Sequence, residues 1–381
     1  MSDVISQIVE KQKEKDAEVG SGAGDSELLF VGAKGAGKST LIHSFLLKED
    51  PQKPTTALEY RFARRSTGTN NASTVCNIWE LGGGTQLSEL IKVVLLPDRM
   101  HACVVAITLD LGAPGEALPT LQFWLEHVRK HVEQCMLQLR ATPAGVERAN
   151  AIARASTEPW LEHQDRELVN PMAVRLVVLA HKWDEFEEQC AAAAQFCRAI
   201  LPRNFAGQFS LRNSSDAAIR PPHRYGEPEN KKVLTRALRY FCHVNGASLL
   251  YTKAKDKPTM TTLRNMLYHH VFGTSPVKVP QFDHLRAVVV PAAADNLAAI
   301  GKPPVVDGVS VDSPAERWRA AYEAYFPSKG LKAGVADLSM VEAEQFAEEA
   351  VDEMRRQKKM ELERMRKEME QEMLLSEGRS K

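Results

Sequence analysis

A glycine-rich stretch from Gly32 to Ser39 has the residue types and spacing of a phosphate-binding loop, since it reads G-A-K-G-A-G-K-S. Its glycines allow the backbone to curl so that several N–H groups point at one anion, and the helix that follows would add its positive amino end. We expect the cradle to consist of the glycines, the lysine and the two hydroxyl residues that follow it: Gly32, Gly35, Gly37, Lys38, Ser39 and Thr40.

Two side chains would give this loop its chemistry. Lys38 would reach the β- and γ-phosphates of a nucleotide as a point charge, and the Ser39 hydroxyl would complete the coordination shell of Mg²⁺. The alternative is a glycine-rich turn with a chance lysine, but an apolar run before the loop and helical spacing after it favour a nucleotide-binding fold. The sequence does not choose between GTP or GDP and ATP, nor between a structural nucleotide and none.

Two further segments are candidates for a metal site. Thr55 and Thr56 lie in a loop that runs into an alternating strand, and a threonine there ligands the metal in nucleotide switches. An ordinary strand entry is an equal alternative. Glu80 follows the next predicted strand, at the position where an acidic residue of phosphate-loop proteins holds Mg²⁺ through water. We therefore expect Mg²⁺ at Ser39 and Thr55, with Glu80 beside it.

The glycines after Glu80 indicate weak hydrolysis or none. Gly83 has the position of a residue that contacts the γ-phosphate, whereas Gly84 falls where small GTPases place the glutamine that orients the attacking water. Glu80 is also one methylene longer than the usual aspartate. The alternative for the glycine triplet is a mobile loop. We predict a protein that binds nucleotide rather than an enzyme.

A base-recognition element follows a later buried strand and reads H-K-W-D from His181 to Asp184. In an N-K-x-D element the aspartate accepts hydrogen bonds from guanine, and the lysine stem covers the ring. Lys182 and Asp184 are present, but His181 replaces the asparagine, which weakens the preference for guanine. The alternative is a charged turn in which Asp184 caps a helix over Glu185–Leu201.

Composition and residue spacing argue against nucleic-acid binding, membrane insertion and a zinc site. The formal net charge is zero and no apolar run approaches the length of a membrane span, so we expect neither nucleic-acid binding nor membrane insertion. The cysteines are scattered without a C-x-x-C pair, which indicates reduced residues in a cytoplasmic protein. His127 and His131 have a spacing that can bind zinc, but they lack a third ligand, and a solvated helix face is favoured.

Strands and helices alternate from residue 28 to 251, which predicts a doubly wound, mostly parallel α/β sheet of about six strands. We expect a flexible leader over residues 1–24, the phosphate-loop domain over 25–275 with insertions near 141–172 and 203–230, and an extension over 276–335. In three shorter segments the spacing of apolar residues predicts a helix over Leu87–Leu96, a helix over Lys232–Val244 and a strand over Leu285–Val290.

The carboxyl-terminal part has two features. Trp318, Tyr322, Tyr325 and Phe326 cluster on a short predicted helix that we expect to pack on the domain. Residues 336–381 form a charged tail, and over Val341–Leu375 methionines recur at helical steps. This pattern predicts one long helix with a narrow apolar seam that needs a partner, or else a solvated helix or frayed tail.

Several motifs together resemble one family. The phosphate loop is followed by P-T-T-A-L-E-Y-R-F-A-R-R, I-W-E-L-G-G-G, H-K-W-D, G-A-S-L-L-Y-T-K and E-A-V-D-E-M-R-R-Q-K. From about Leu28 to Met360 the chain resembles the dynein light intermediate chains, a family with a Ras-like domain. The A-L-E-Y and W-E-L-G-G-G elements mark these chains, and the V-D-E-M-R-R-Q-K tail is similar to the ciliary branch, cytoplasmic dynein 2.

The resemblance implies a non-catalytic motor subunit that stabilises the dynein 2 heavy chain and assembles with intermediate and light chains. It implies association with intraflagellar transport trains, in the cytoplasm, the cytoskeleton and the cilium, with basal body and axoneme included. By position, it assigns the phosphate loop to the nucleotide cradle, Glu80 and Gly83 to its wall and Asp184 to the base. A switching GTPase that hydrolyses GTP is the alternative.

Overall fold

The computed structural model describes residues 25–47, 54–66, 73–200, 228–276, 279–306 and 313–328, with short pieces at 353–354, 356–361 and 364. Seven strands are present in this part of the chain: β1 (Ser26–Gly32), β2 (Leu58–Ser66), β3 (Ser73–Leu81), β4 (Cys103–Asp110), β5 (Arg175–His181), β6 (Ser248–Tyr251) and β7 (Val289–Val290). They form one sheet in the order β2-β3-β1-β4-β5-β6-β7.

Helices connect these strands. Within the described residues they are α1 (Lys38–Leu46), α2 (Ile91–Val94), α3 (Pro114–Leu139), α4 (Pro143–Thr157), α5 (Trp183–Ile200), α6 (Pro228–Val244), α7 (Lys257–Phe272), α8 (Leu297–Ile300) and α9 (Pro314–Tyr325). Short 3-10 helices cover Gly84–Leu90, Pro97–Ala102 and Glu158–Trp160. No helix in the described ranges is both apolar and long enough to cross a membrane.

The central strands are buried because helices cover both faces of the sheet. β1 pairs in parallel with β3 and β4, β4 with β5, and β5 with β6. One apolar core includes Trp124 of α3 and Leu238 of α6, and the other includes Phe45 of α1 and Leu263 of α7. Continuous apolar runs are typical of such doubly covered parallel strands, and the predicted doubly wound fold is confirmed.

The sheet is one strand wider than expected. Val289 and Val290 pair antiparallel with Leu250 and Leu249 of β6, so the predicted strand Leu285–Val290 is shorter and belongs to the sheet. β2 and β3 pair antiparallel at the other edge. Both edges therefore carry an antiparallel strand beside a parallel centre.

Three helices differ from the predicted helices in type or in their first residue. The region predicted as a helix over Leu87–Leu96 is a 3-10 helix followed by the single turn α2, because Leu87 has non-helical dihedrals of −102° and 21°. α6 begins at Pro228 rather than Lys232, and proline suits a first helical turn. α5 begins at Trp183, so Asp184 lies in its first turn instead of capping it.

The extension packs on the domain through aromatic side chains. Trp318, Tyr322 and Phe326 are buried in the core that includes α3 and α6. The Tyr322 hydroxyl donates to the carbonyl of Pro114 at 2.6 Å. Within the expected insertion over 141–172 lies α4, while residues 1–24 and 201–227 lie outside the described part.

Only a few residues of the tail over 336–381 fall within the described part of the structure. Its described residues, at 353–354, 356–361 and 364, are helical and exposed. The remainder of the predicted helix over Val341–Leu375 lies outside the described residues.

The cysteines described at side-chain level are free and buried: Cys76, Cys103, Cys135, Cys190 and Cys242. Burial raises the pKa of each of these thiols, to about 12 for Cys103 and about 11 for Cys190. They are therefore protonated packing residues at neutral pH. The side chain of Cys197 lies outside the described part.

A buried ion pair joins α6 to the segment before α8. Arg239 donates from Nε and Nη2 to the two carboxylate oxygens of Asp295, at 2.7 and 2.6 Å. We expect Asp295→Ala to lower the free energy of unfolding by about 3–5 kcal/mol, because it leaves the Arg239 charge buried without its partner. Urea unfolding monitored by tryptophan fluorescence measures this loss.

The exposed pair between Asp98 and Arg148 provides the matched control. Asp98→Ala should change the free energy of unfolding by less than about 1 kcal/mol. Equal losses for the two substitutions would contradict the structural role of the Arg239–Asp295 pair.

Candidate functional site

The phosphate loop connects β1 to α1 at the carboxyl edge of the sheet. Gly32, Gly35 and Gly37 have φ values of 142°, 79° and 88°, which favour glycine. A Cβ on Gly32 would lie 2.1 Å from the Thr108 carbonyl oxygen of β4, so the loop passes closer to the sheet than a side chain permits. Thr40 is half-buried in the first turn of α1. The predicted strand–loop–helix arrangement is present.

Lys38 folds back over this loop and is buried. Its Nζ donates to the carbonyl oxygens of Gly32 at 3.3 Å and Ala33 at 2.9 Å. Burial lowers the pKa of Lys38, and the carboxylate of Glu80 partly offsets that shift. The ammonium group is therefore held at the loop in a setting where an added anion would stabilise its charge.

Glu80 of β3 meets the loop through Ser39. The Ser39 hydroxyl donates to Glu80 Oε1 at 2.7 Å, while Glu80 Oε2 is buried without a hydrogen-bond partner among the described residues. A hydroxyl and an unpartnered carboxylate oxygen are ligands that Mg²⁺ accepts, so these residues fit a magnesium ion. The structure thus brings Lys38, Ser39 and Glu80 together as expected.

The threonine predicted to join them is engaged elsewhere. The Thr55 hydroxyl donates to Glu59 Oε2 at 3.1 Å, and Thr56 is exposed. Glu59 lies directly opposite Glu80 in the β2–β3 ladder. In this conformation Thr55 hydrogen-bonds to Glu59, the cross-strand neighbour of Glu80, and the structure gives it no hydrogen bond to Ser39 or Glu80 among the described residues.

The glycine triplet folds against the phosphate loop. A Cβ on Gly84 would lie 3.3 Å from the backbone nitrogen of Lys34, and a Cβ on Gly83 would lie 2.8 Å from Leu87 Cδ1. Gly83 and Gly84 both have positive φ, at 69° and 61°. A glutamine at position 84 would therefore be strained and crowded in this conformation.

The base-recognition element lies beside the same loop. His181 is buried, and its Nδ1 is 2.8 Å from the Thr252 hydroxyl. Burial lowers the pKa of His181 to about 4, so the ring is neutral at pH 7. A Cβ on Gly37 would lie 2.4 Å from His181 Cδ2, so the imidazole packs flush against the loop glycine.

Lys182 and Asp184 extend from the end of β5 near this histidine. Lys182 has a left-handed φ of 63°, and its Nζ binds Asp110 Oδ2 at 2.7 Å. Asp184 is half-buried in the first turn of α5. The Lys182 side chain is thus positioned by Asp110 at the end of β4, a residue that the sequence pattern did not single out.

Two groups of histidines lie outside this loop. His127 and His131 are half-buried rather than on a solvated helix face, and His131 Nε2 lies 2.8 Å from the Leu95 carbonyl oxygen. His163, Asp165 and His243 have potential ligand atoms within 4.8 Å of one another. However, His163 uses Nε2 for the Asp295 carbonyl and Nδ1 for the Asp165 N–H, so this cluster is a hydrogen-bond network.

A glycine loop between the central strand and its helix, with a carboxylate from the neighbouring strand beside it, defines a Ras-like phosphate-loop fold. The family model described as dynein light intermediate chain (DLIC) matches residues 5–153 and 222–302, more than half of the chain. The chain belongs to the dynein light intermediate chain family.

Relatives within the family differ in how much of their length the chain matches. It is 30% identical to rat cytoplasmic dynein 2 light intermediate chain 1, over 90% of this chain and 88% of the relative. It is 29% identical to the human protein of that name, over 96% of this chain and 96% of the human protein. Human cytoplasmic dynein 1 light intermediate chain 1 is 24% identical over 72% of this chain and 51% of its own length.

The solved structure titled "Crystal Structure of the Dynein Light Intermediate Chain's Conserved Domain" aligns with a TM-score of 0.49 at 14% identity. That alignment covers 81% of this chain and all of that one.

The contact between Gly37 and His181 can be tested with paired alanine substitutions. Gly35→Ala should cost about 1–2 kcal/mol of unfolding free energy from left-handed strain alone, because no atom of the described part of the chain lies within 4 Å of a Cβ built at this position. Gly37→Ala carries the same strain and also meets the imidazole, so its loss should be larger. Urea unfolding of the two variants measures the difference.

The double variant Gly37→Ala/His181→Ala isolates the steric contribution. The double variant should lose less unfolding free energy than the sum of the two single variants, because removing the imidazole makes room for the new methyl group. Additive losses would contradict the close packing of His181 on the loop.

Proposed function

We propose that this protein is a light intermediate chain of the cytoplasmic dynein 2 motor complex. The observation that carries the proposal is the extent of similarity: the dynein 2 chains match over 88–96% of their length, whereas the human dynein 1 chain matches over 51%. The ciliary tail motif, V-D-E-M-R-R-Q-K, supports the same branch.

In this role the protein binds and stabilises the dynein 2 heavy chain and assembles with the intermediate and light chains. The complex carries intraflagellar transport trains back from the ciliary tip and serves cilium assembly. The protein is non-catalytic, and ATP hydrolysis by the motor belongs to the heavy chain. Its locations are the cytoplasm and the cilium, including the basal body and axoneme.

We further propose that the phosphate loop holds a nucleotide with Mg²⁺ as a structural ligand. Lys38, Ser39 and Glu80 support phosphate and metal binding through their contacts at the loop. The base would meet Lys182 and Asp184. The ion would supply charge neutralisation for the phosphates, and the crowded glycine triplet supports binding without turnover.

Affinity purification from ciliated cells tests the motor assignment. Tagged wild-type protein should recover the dynein 2 heavy chain with its intermediate chains in stoichiometric amounts. Lys38→Ala should recover the same proteins, because a structural nucleotide does not form the protein interface. Recovery of exchange factors or effectors without a heavy chain would contradict the assignment and favour a switching GTPase.

Thermal unfolding of the purified protein tests the nucleotide assignment. GDP, GTP and ATP with Mg²⁺ are compared, and a bound nucleotide at a hundred times its Kd should stabilise the fold by about 2.7 kcal/mol. Lys38→Ala should abolish the increase in Tm. Lys34→Ala is the matched control, because Lys34 is an exposed lysine of the same loop. Rapid GTP hydrolysis lost in Lys38→Ala would support the switching alternative.

A further inference from the structure

A second concave site lies at the amino ends of the parallel strands, whereas the phosphate loop lies at their carboxyl ends. A cavity of about 630 Å³ opens where β4, β5 and β6 begin, bordered by His101, Arg175 and Ser248. The phosphate loop follows the carboxyl end of β1, which runs parallel to these strands. The cavity is therefore separate from the nucleotide site, and its volume is within the range of small-molecule sites.

The walls of this cavity are largely apolar. Three methionines contribute, from the segment before β4, the segment before β5 and α7, together with an isoleucine and a tryptophan: Met100, Met172, Met266, Ile152 and Trp160. Methionine side chains are flexible and polarisable, so such walls adapt to an apolar chain. These walls favour a ligand with a hydrocarbon body.

The charge of the cavity is positive. Its lining contains an arginine and three histidines but neither aspartate nor glutamate. Arg175 is exposed, its Nη1 donates to the His270 carbonyl at 3.0 Å, and no carboxylate pairs with it among the described residues. Desolvation lowers the pKa of His101, and the guanidinium groups of Arg148 and Arg175 lower it further. One cation is thus available for an anionic ligand group.

The Ser248 hydroxyl and the His270 ring, which also line this cavity, together carry one proton more than they can donate to each other. The Ser248 hydroxyl oxygen accepts from the Ala292 N–H at 3.0 Å and lies 3.3 Å from His270 Nε2. Burial lowers the pKa of His270 to about 4, so the ring is neutral and carries one proton. The hydroxyl and the ring share one hydrogen bond, so one of their two protons remains without an acceptor among the described residues in either tautomer.

We propose that this cavity binds a small apolar molecule with a single carboxylate, of the long-chain fatty acid class. The carboxylate pairs with Arg175 and accepts the free proton of the Ser248–His270 pair. The hydrocarbon chain lies among the methionines. A single cation and one spare donor match a carboxylate better than a phosphate, which needs more donors.

Displacement of a fluorescent long-chain carboxylate from the full-length protein tests this proposal. Palmitate is the competitor, and hexadecanol is the control that has the same chain without the charge. Palmitate should displace the probe, and hexadecanol should bind about tenfold more weakly, as expected for loss of a charge-assisted hydrogen bond. Absence of palmitate binding to the folded protein, or equal affinity for the two molecules, would overturn the proposal.

Substitutions locate the site. Ala155 is an exposed residue of α4 that lines the cavity, so Ala155→Trp should fill the space and abolish palmitate binding without disturbing the core. Ala144→Trp is the matched control, because Ala144 is exposed on the same helix and does not line the cavity. Arg175→Gln should reduce affinity for palmitate about tenfold and leave hexadecanol unchanged. Equal binding by the two tryptophan variants would place the ligand elsewhere.

Discussion

The burial of β1 is the constraint on which the rest of the domain depends. All its residues are buried, and it pairs with β3 on one side and β4 on the other. At its carboxyl end β1 lies beside β4 with Gly32 paired to Thr108, and the Thr108 carbonyl leaves no room for a Cβ on Gly32. The glycine at position 32 is therefore required by sheet packing before any ligand is considered.

The same packing concentrates charge at the end of β1. Lys38 is buried among carbonyl groups of the loop, and Glu80 of the adjacent strand has one oxygen without a hydrogen-bond partner among the residues that the structure describes. A buried cation and a buried carboxylate are each costly unless they are paired or ligated. A nucleotide and a divalent ion would satisfy both groups, which gives a bound nucleotide a structural purpose independent of hydrolysis.

The sequence predicted the features with strong local signals. The phosphate loop and the buried parallel strands follow from glycine spacing and apolar runs. The two-residue strand β7 was missed as part of the sheet because it is defined by long-range pairing with β6, which leaves almost no local pattern. Likewise, the contacts of Thr55 with Glu59 and of Lys182 with Asp110 depend on tertiary neighbours rather than on spacing.

The aromatic packing of α9 has a consequence for where this domain ends as a folding unit. The family match stops at residue 302, yet Phe326 is fully buried and packs against Phe186 of α5. A chain shortened to the matched segment would expose the apolar surface that Trp318 and Phe326 cover. The cooperative unit is therefore longer than the segment that the family model matches, and its last stabilising layer is specified by residues beyond that segment.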